Sequence, residues 1–183
     1  SYDDIGFRFN GTSDWHILKM PITLKQVDTD YLLKAFNVYI EPIRYGSIIE
    51  ALMHGFDVLL NQSVGIKLKM YDYTKRPITS DDLKLAKKLN YHLTLSHGSK
   101  ADLFSVALDL GLNYACSFKL AHNEPLPKTF EYKGITLEVE DGDKTDWRVS
   151  DKSDKTRIIG LKHKRTKNQD IKAVEKFCIN TSA

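Results

Sequence analysis

The chain is poor in the features that would announce a catalytic, metal-binding or membrane-spanning protein. Only two cysteines, Cys116 and Cys178, occur in 183 residues. They are too few for a disulfide framework and do not form a Cys-x-x-Cys pair, so the pattern predicts free, buried thiols acting as small hydrophobes. No run approaches the roughly 18 consecutive apolar residues of a transmembrane helix, so no membrane-crossing helix is expected. The six histidines are scattered, and none makes a His-x-x-x-His or His-Glu-x-x-His pair that would set two ligands on one helix face. His92 and His97 are close, but on a strand their odd spacing sends them to opposite faces. There is no Gly-x-Ser-x-Gly elbow and no Gly-x-x-x-x-Gly-Lys or Gly-x-Gly-x-x-Gly phosphate loop. These absences predict no metal, no cofactor, no small-molecule substrate and no enzyme. A site gathered from distant positions, around His92, His97 or His122 and carboxylates, would leave no such trace and stands as an alternative.

What is present is an ordinary globular composition, 42% hydrophobic and 28% charged, which predicts one domain spanning residues 1–183. The net charge of +3 is unremarkable, but its distribution is not even. Glu138, Glu140, Asp141, Asp143 and Asp146 make an acidic stretch, and lysines and arginines dominate from Lys152 onward. The run Asp141-Gly142-Asp143-Lys144-Thr145-Asp146 superficially suggests a calcium loop. Its glycine is misplaced and Lys152 stands where a closing Glu is needed, so residues 141–156 are expected to form a polar, exposed and mobile loop. The strongest positive signal is the cluster Lys162, Lys164, Arg165 and Lys167, followed by Lys172. Extended backbone puts Lys162 and Lys164 on one side, facing an anionic lipid surface or nucleic-acid phosphates. Aromatic residues do not interleave with these cations in sequence, which argues for a nonspecific contact.

Periodicity supplies the elements. Alternation over Ile17–Leu24 predicts a strand, with Pro21 marking an edge or bulge. Helices are expected from about Asp28 to Ile40 and from Ser47, the latter with Ile48, Ala51, Leu52, Gly55, Phe56 and Leu59 in one apolar stripe. Residues 66–71 read as a strand, Thr79 or Ser80 with Asp82 as a helix start, and Tyr91–His97 as a strand. Ser99 with Asp102 signals another helix, ending at Gly111. Tyr114–Leu120, Phe130–Val139 with a bulge at Gly134, and Ile158–His163 read as strands, and Gln169–Cys178 as a final helix. The order lacks strict βαβ alternation, so the predicted class is α+β with a mainly antiparallel sheet packed with several helices.

The segment Phe130-Glu131-Tyr132-Lys133-Gly134-Ile135-Thr136-Leu137-Glu138, with Glu140 and Asp141 after it, resembles a Tyr-Lys-Gly strand and acidic turn of rhabdovirus matrix proteins. Phe7-Arg8-Phe9-Asn10-Gly11 and Cys178-Ile179-Asn180 are similar to further matrix segments, and the element order is alike. The resemblance implies a non-enzymatic virion protein that self-associates and bridges ribonucleoprotein and an anionic membrane from the host cytoplasm, at the membrane's inner face. The same lysines would equally serve a nucleic-acid-binding viral accessory protein, such as a movement or silencing factor.

Overall fold

The computed structural model describes residues 4–8, 16–36, 39–63, 67–99, 101–121, 123–151, 154–164, 174 and 178–180. They fall into two compact units: the first runs up to Asp72 and includes Thr79–His92, and the second comprises Tyr73–Ile78 and the chain from Leu93 onward.

In the first unit, strand β1 (Asp4–Arg8) pairs in parallel with β4 (Lys67–Thr74), Asp4 opposite Lys67 and Arg8 opposite Tyr71. Between them lie helix α1 (Gln26–Phe36), the short antiparallel ladder of β2 (Ile22–Thr23) with β3 (Arg44–Tyr45), and helix α2 (Ile48–Ser63). The expected strand over Ile17–Leu24 shrinks to β2 behind a 3-10 turn at Ile17–Lys19. Ile17 and Leu18 are both buried, which alternation on a half-exposed strand would forbid. Ser47 caps α2 as expected, its Oγ accepting from Glu50 N at 3.2 Å. Ile49, Ala51 and Met53 are buried on this helix. Helix α3 (Ser80–Lys88) starts at a capping box: Thr79 Oγ1 accepts from Asp82 N at 3.2 Å, and Thr79 N donates to Asp82 Oδ2 at 2.8 Å.

The second unit holds the outer part of β5 (Tyr91–Ser96), helix α4 (Leu103–Leu110), and strands β6 (Tyr114–Lys119), β7 (Thr129–Tyr132), β8 (Ile135–Asp141), β9 (Ile158–Lys162) and β10 (Cys178–Asn180). Its strand order is β5–β6–β9–β8–β7, with β10 also on β6. The class is α+β, but strand direction corrects the expectation of a mainly antiparallel sheet. Among the described pairings β1/β4, β5/β6, β6/β9, β8/β9 and β6/β10 are parallel, and β2/β3 and β7/β8 are antiparallel. The cause is that α4 carries the chain back across the sheet before β6 begins, so β5 and β6 run the same way. Tyr114 to Phe118 are accordingly buried without alternation, as in a strand covered on both faces.

Two further differences concern connections. Phe130–Val139 is not one bulged strand: Lys133 (φ 51°) and Gly134 (φ 76°) form a two-residue turn between β7 and β8. Two successive positive φ values belong to a hairpin turn matched to strand twist. The segment after Asp141 is more enclosed than expected. Gly142 N donates to Gly160 O at 2.8 Å, Arg148 is buried with Asp151 at 3.3 Å, and Thr156 and Arg157 are buried, leaving residues 143–146 exposed. Arg157 is held by Asp154 at 2.6 Å and by Glu138 and Glu140 at 3.3 and 3.2 Å, so part of the acidic stretch is occupied within the fold. The predicted helix over Gln169–Cys178 lies outside the described residues apart from its last position and Val174, and Cys178 begins β10.

Candidate functional site

Two features of the second unit carry the site residues. The first is the end of β9. Lys162 closes the strand and Lys164 follows it, both exposed. Arg165, Lys167 and Lys172 lie outside the described residues. Asp143 sits against this end: its Oδ2 accepts from Lys162 N at 2.7 Å, and its Oδ1 lies 3.8 Å from Lys164 Nζ. Asp141 Oδ1 accepts from Asp143 N at 3.0 Å, so these carboxylates organise a turn rather than converge on a cation. Among the described residues no group of histidines, cysteines and carboxylates could hold a metal, and no helix is long and apolar enough to cross a membrane.

Sheet register places Lys162 in company the linear sequence does not show. β6 and β9 pair Tyr114 with Ile158, Cys116 with Gly160 and Phe118 with Lys162. Laterally paired residues project to the same side of a sheet, so Lys162 rises from the face that carries Phe118. The Phe118 ring meets Phe130 at 5.7 Å, and Phe130 stacks on Tyr132 at 6.2 Å and 22°. Gly160 leaves room below: a Cβ there would lie 2.7 Å from Val139 Cγ1.

The second feature is a cleft of about 410 Å³ over the same face of β6. β9 occupies one edge of β6 along residues 114–118, so β5, paired at Tyr114 and Ala115, and β10, paired at Ser117 to Lys119, share the other edge. His97, at the end of β5, and Ile179, in β10, both line the cleft. The α4 side contributes Asp102 and Phe104, and the hairpin contributes Phe130, Tyr132 and Lys133. Phe104 packs edge-on to Tyr114 at 5.4 Å and tilted against Tyr132 at 4.5 Å. Lys133 pairs with Asp102 and lies 5.4 Å from the Tyr132 ring centre, tying the hairpin tip to the start of α4.

Two groups of the cleft, Asp102 and Tyr114, each keep one protonation state near neutrality. Hydrogen bonding from Lys133, and then from Ser105, lowers the Asp102 carboxyl to about 2. Burial raises the Tyr114 phenol well above its usual value, and its oxygen lies 2.9 Å from His97 Nδ1. Cys116 is pushed up to about 12 by burial, and burial likewise raises Cys178, so both buried thiols are free but unreactive. Among the described residues, His92 of the distant-site alternative does not line the cleft. His92 pairs with Asn90 at 3.3 Å, and burial, helped by Lys69, lowers its pKa; His122 lies outside the described residues.

The sequence pattern places Asp102 three residues into a cap begun at Ser99, whereas the structure makes Asp102 itself the cap of α4, and it reads Tyr132-Lys133-Gly134 only as strand. The signal that was available is the Lys-Gly pair between two apolar runs, a turn pattern that would have brought Tyr132 and Lys133 to a hairpin tip. A family model described as Gene product 88 matches residues 63–181, well over half of the chain. No curated protein and no solved structure matches it.

Proposed function

The chain belongs to the Gene product 88 family, and on that premise we propose that it works by binding rather than catalysis, holding RNA or a ribonucleoprotein through the basic segment that opens at Lys162. A viral protein is the coarse reading that this membership supports; the finer likeness to rhabdovirus matrix proteins draws nothing specific from it. The observation that carries the proposal is that Lys162 shares a sheet face with the Phe118–Phe130–Tyr132 aromatic cluster. Phe118 is fully buried and anchors the cluster from below, while Tyr132 is partly exposed at its end; cations that track phosphates near an accessible ring are what a single strand needs. The Asp143–Lys164 contact does not stand in the way, because a solvent-exposed pair at 3.8 Å is weak and yields to a phosphate.

Filter binding of single-stranded RNA tests this. Affinity is expected to fall steeply between about 50 and 200 mM salt, with a log–log slope of about −0.7 per phosphate contacted. Joint replacement of Lys162, Lys164, Arg165 and Lys167 by alanine is expected to flatten that slope. No retention at low salt, or a quadruple variant that binds as the parent does, sinks the RNA reading.

One observation favours the matrix-like reading as a second. Val27 and Tyr31, one helical turn apart on α1, are 67% and 64% exposed, an apolar strip suited to self-association. Flotation with anionic liposomes, together with oligomerisation on concentration and no RNA retention, would put that reading in place of the first.

A further inference from the structure

The cleft between α4 and the β7–β8 hairpin shares Phe130 and Tyr132 with the aromatic cluster of the RNA reading, and, resting on that reading, we propose that it is a nucleotide site, with the base against Tyr132 and the phosphate on Lys133. Its volume of about 410 Å³ lies at the small end of ligand sites, which suits a mononucleotide better than an extended chain. Tyr132 is 37% exposed as a residue while its ring packs on Phe104 and Phe130, so a side chain already held in place is within reach of a stacking partner. Every base presents a π-face to such a ring.

The polar groups argue for the rest of the ligand. Lys133 is exposed at the hairpin tip, and its ammonium carries three donors while Asp102 engages it from one side. A phosphate can therefore join the pair without displacing it. Ser99, Asp102 and His97 add a hydroxyl, a carboxylate and an imidazole, the complements of ribose hydroxyls and base amines. A fatty chain in this cleft would leave those groups facing hydrocarbon, which is costly. A free nucleotide and the phosphorylated end of a strand share this chemistry.

Isothermal titration calorimetry with AMP and CMP, adenosine as the phosphate-free control and a 5′-phosphorylated trinucleotide tests the site. The mononucleotides are expected to bind with a Kd of about 1 mM or tighter. Tyr132→Ala is expected to weaken AMP about tenfold or more, while Tyr132→Phe keeps both the ring and the affinity. Lys133→Gln should make AMP and adenosine bind alike. Tighter Tyr132-dependent binding of the trinucleotide identifies a strand end as the source, and equal binding identifies a free nucleotide. The quadruple basic-segment variant is expected to bind AMP unchanged, which separates this site from the RNA surface. Absence of AMP and CMP binding at about 5 mM, or a folded Tyr132→Ala protein with parental affinity, overturns the proposal.

Discussion

At Asp82 burial and partners pull in opposite directions. Burial pushes the carboxyl up, but hydrogen bonds from Lys19 and Thr79 outweigh it and hold the group below its usual 3.8. Asp154 is held at about 2 chiefly by the Arg157 guanidinium, and Asp102 at about 2 chiefly by Lys133. Lys155 leads the lowering of Glu138. Asp151, raised by burial, acts the other way. In the depressed groups the unfolded chain binds protons that the folded chain refuses, so their stabilisation is complete above the ordinary carboxylate range and is lost as pH falls towards the folded values. The urea midpoint is therefore expected to fall between the usual 3.8 and about 2. A midpoint flat across that window would contradict the pairings. The Thr79–Asp82 box was legible from sequence because its partners are three residues apart, whereas Lys19 reaches Asp82 from a distant position that no local pattern encodes.

Among elements, the β7–β8 hairpin has the most at stake, since it supplies both the ring and the cation of the cleft. Gly134, at φ 76°, is in a left-handed conformation that a side chain opposes, and Lys133 at φ 51° already bears part of that cost. Gly134→Ala is expected to destabilise the protein by about 1 kcal/mol in urea titration. An unchanged midpoint would mean that the turn has another shape. Sequence periodicity found both arms of this hairpin but joined them, because Phe130, Tyr132, Ile135 and Leu137 sustain an apolar rhythm that one bulge can also explain. It located β6 and β9 as well, yet could not orient them, since alternation reports which faces are covered and not which way a neighbour runs.

For the molecule as a whole, charge placement decides more than net charge. Asp143 grips the end of β9 through Lys162 N and approaches Lys164. Asp143→Asn keeps an acceptor for the backbone contact and removes the competing charge, so RNA affinity at low salt is expected to rise about two- to threefold. Filter binding measures it, and the gain should vanish when Lys164→Ala is added; a gain that persists would place the effect elsewhere. By itself the sequence determined what neighbours in the chain can settle: the caps at Ser47 and Thr79, the Gly111 stop at φ 65°, buried free cysteines, and a basic cluster after an acidic stretch. Tertiary structure alone decided the parallel sheet, the pairing of Asp102 with Lys133, the cleft, and the setting of Lys162 beside aromatic rings. Those features join residues tens of positions apart, and only the closing of the chain on itself, not periodicity or propensity, brings such residues into contact.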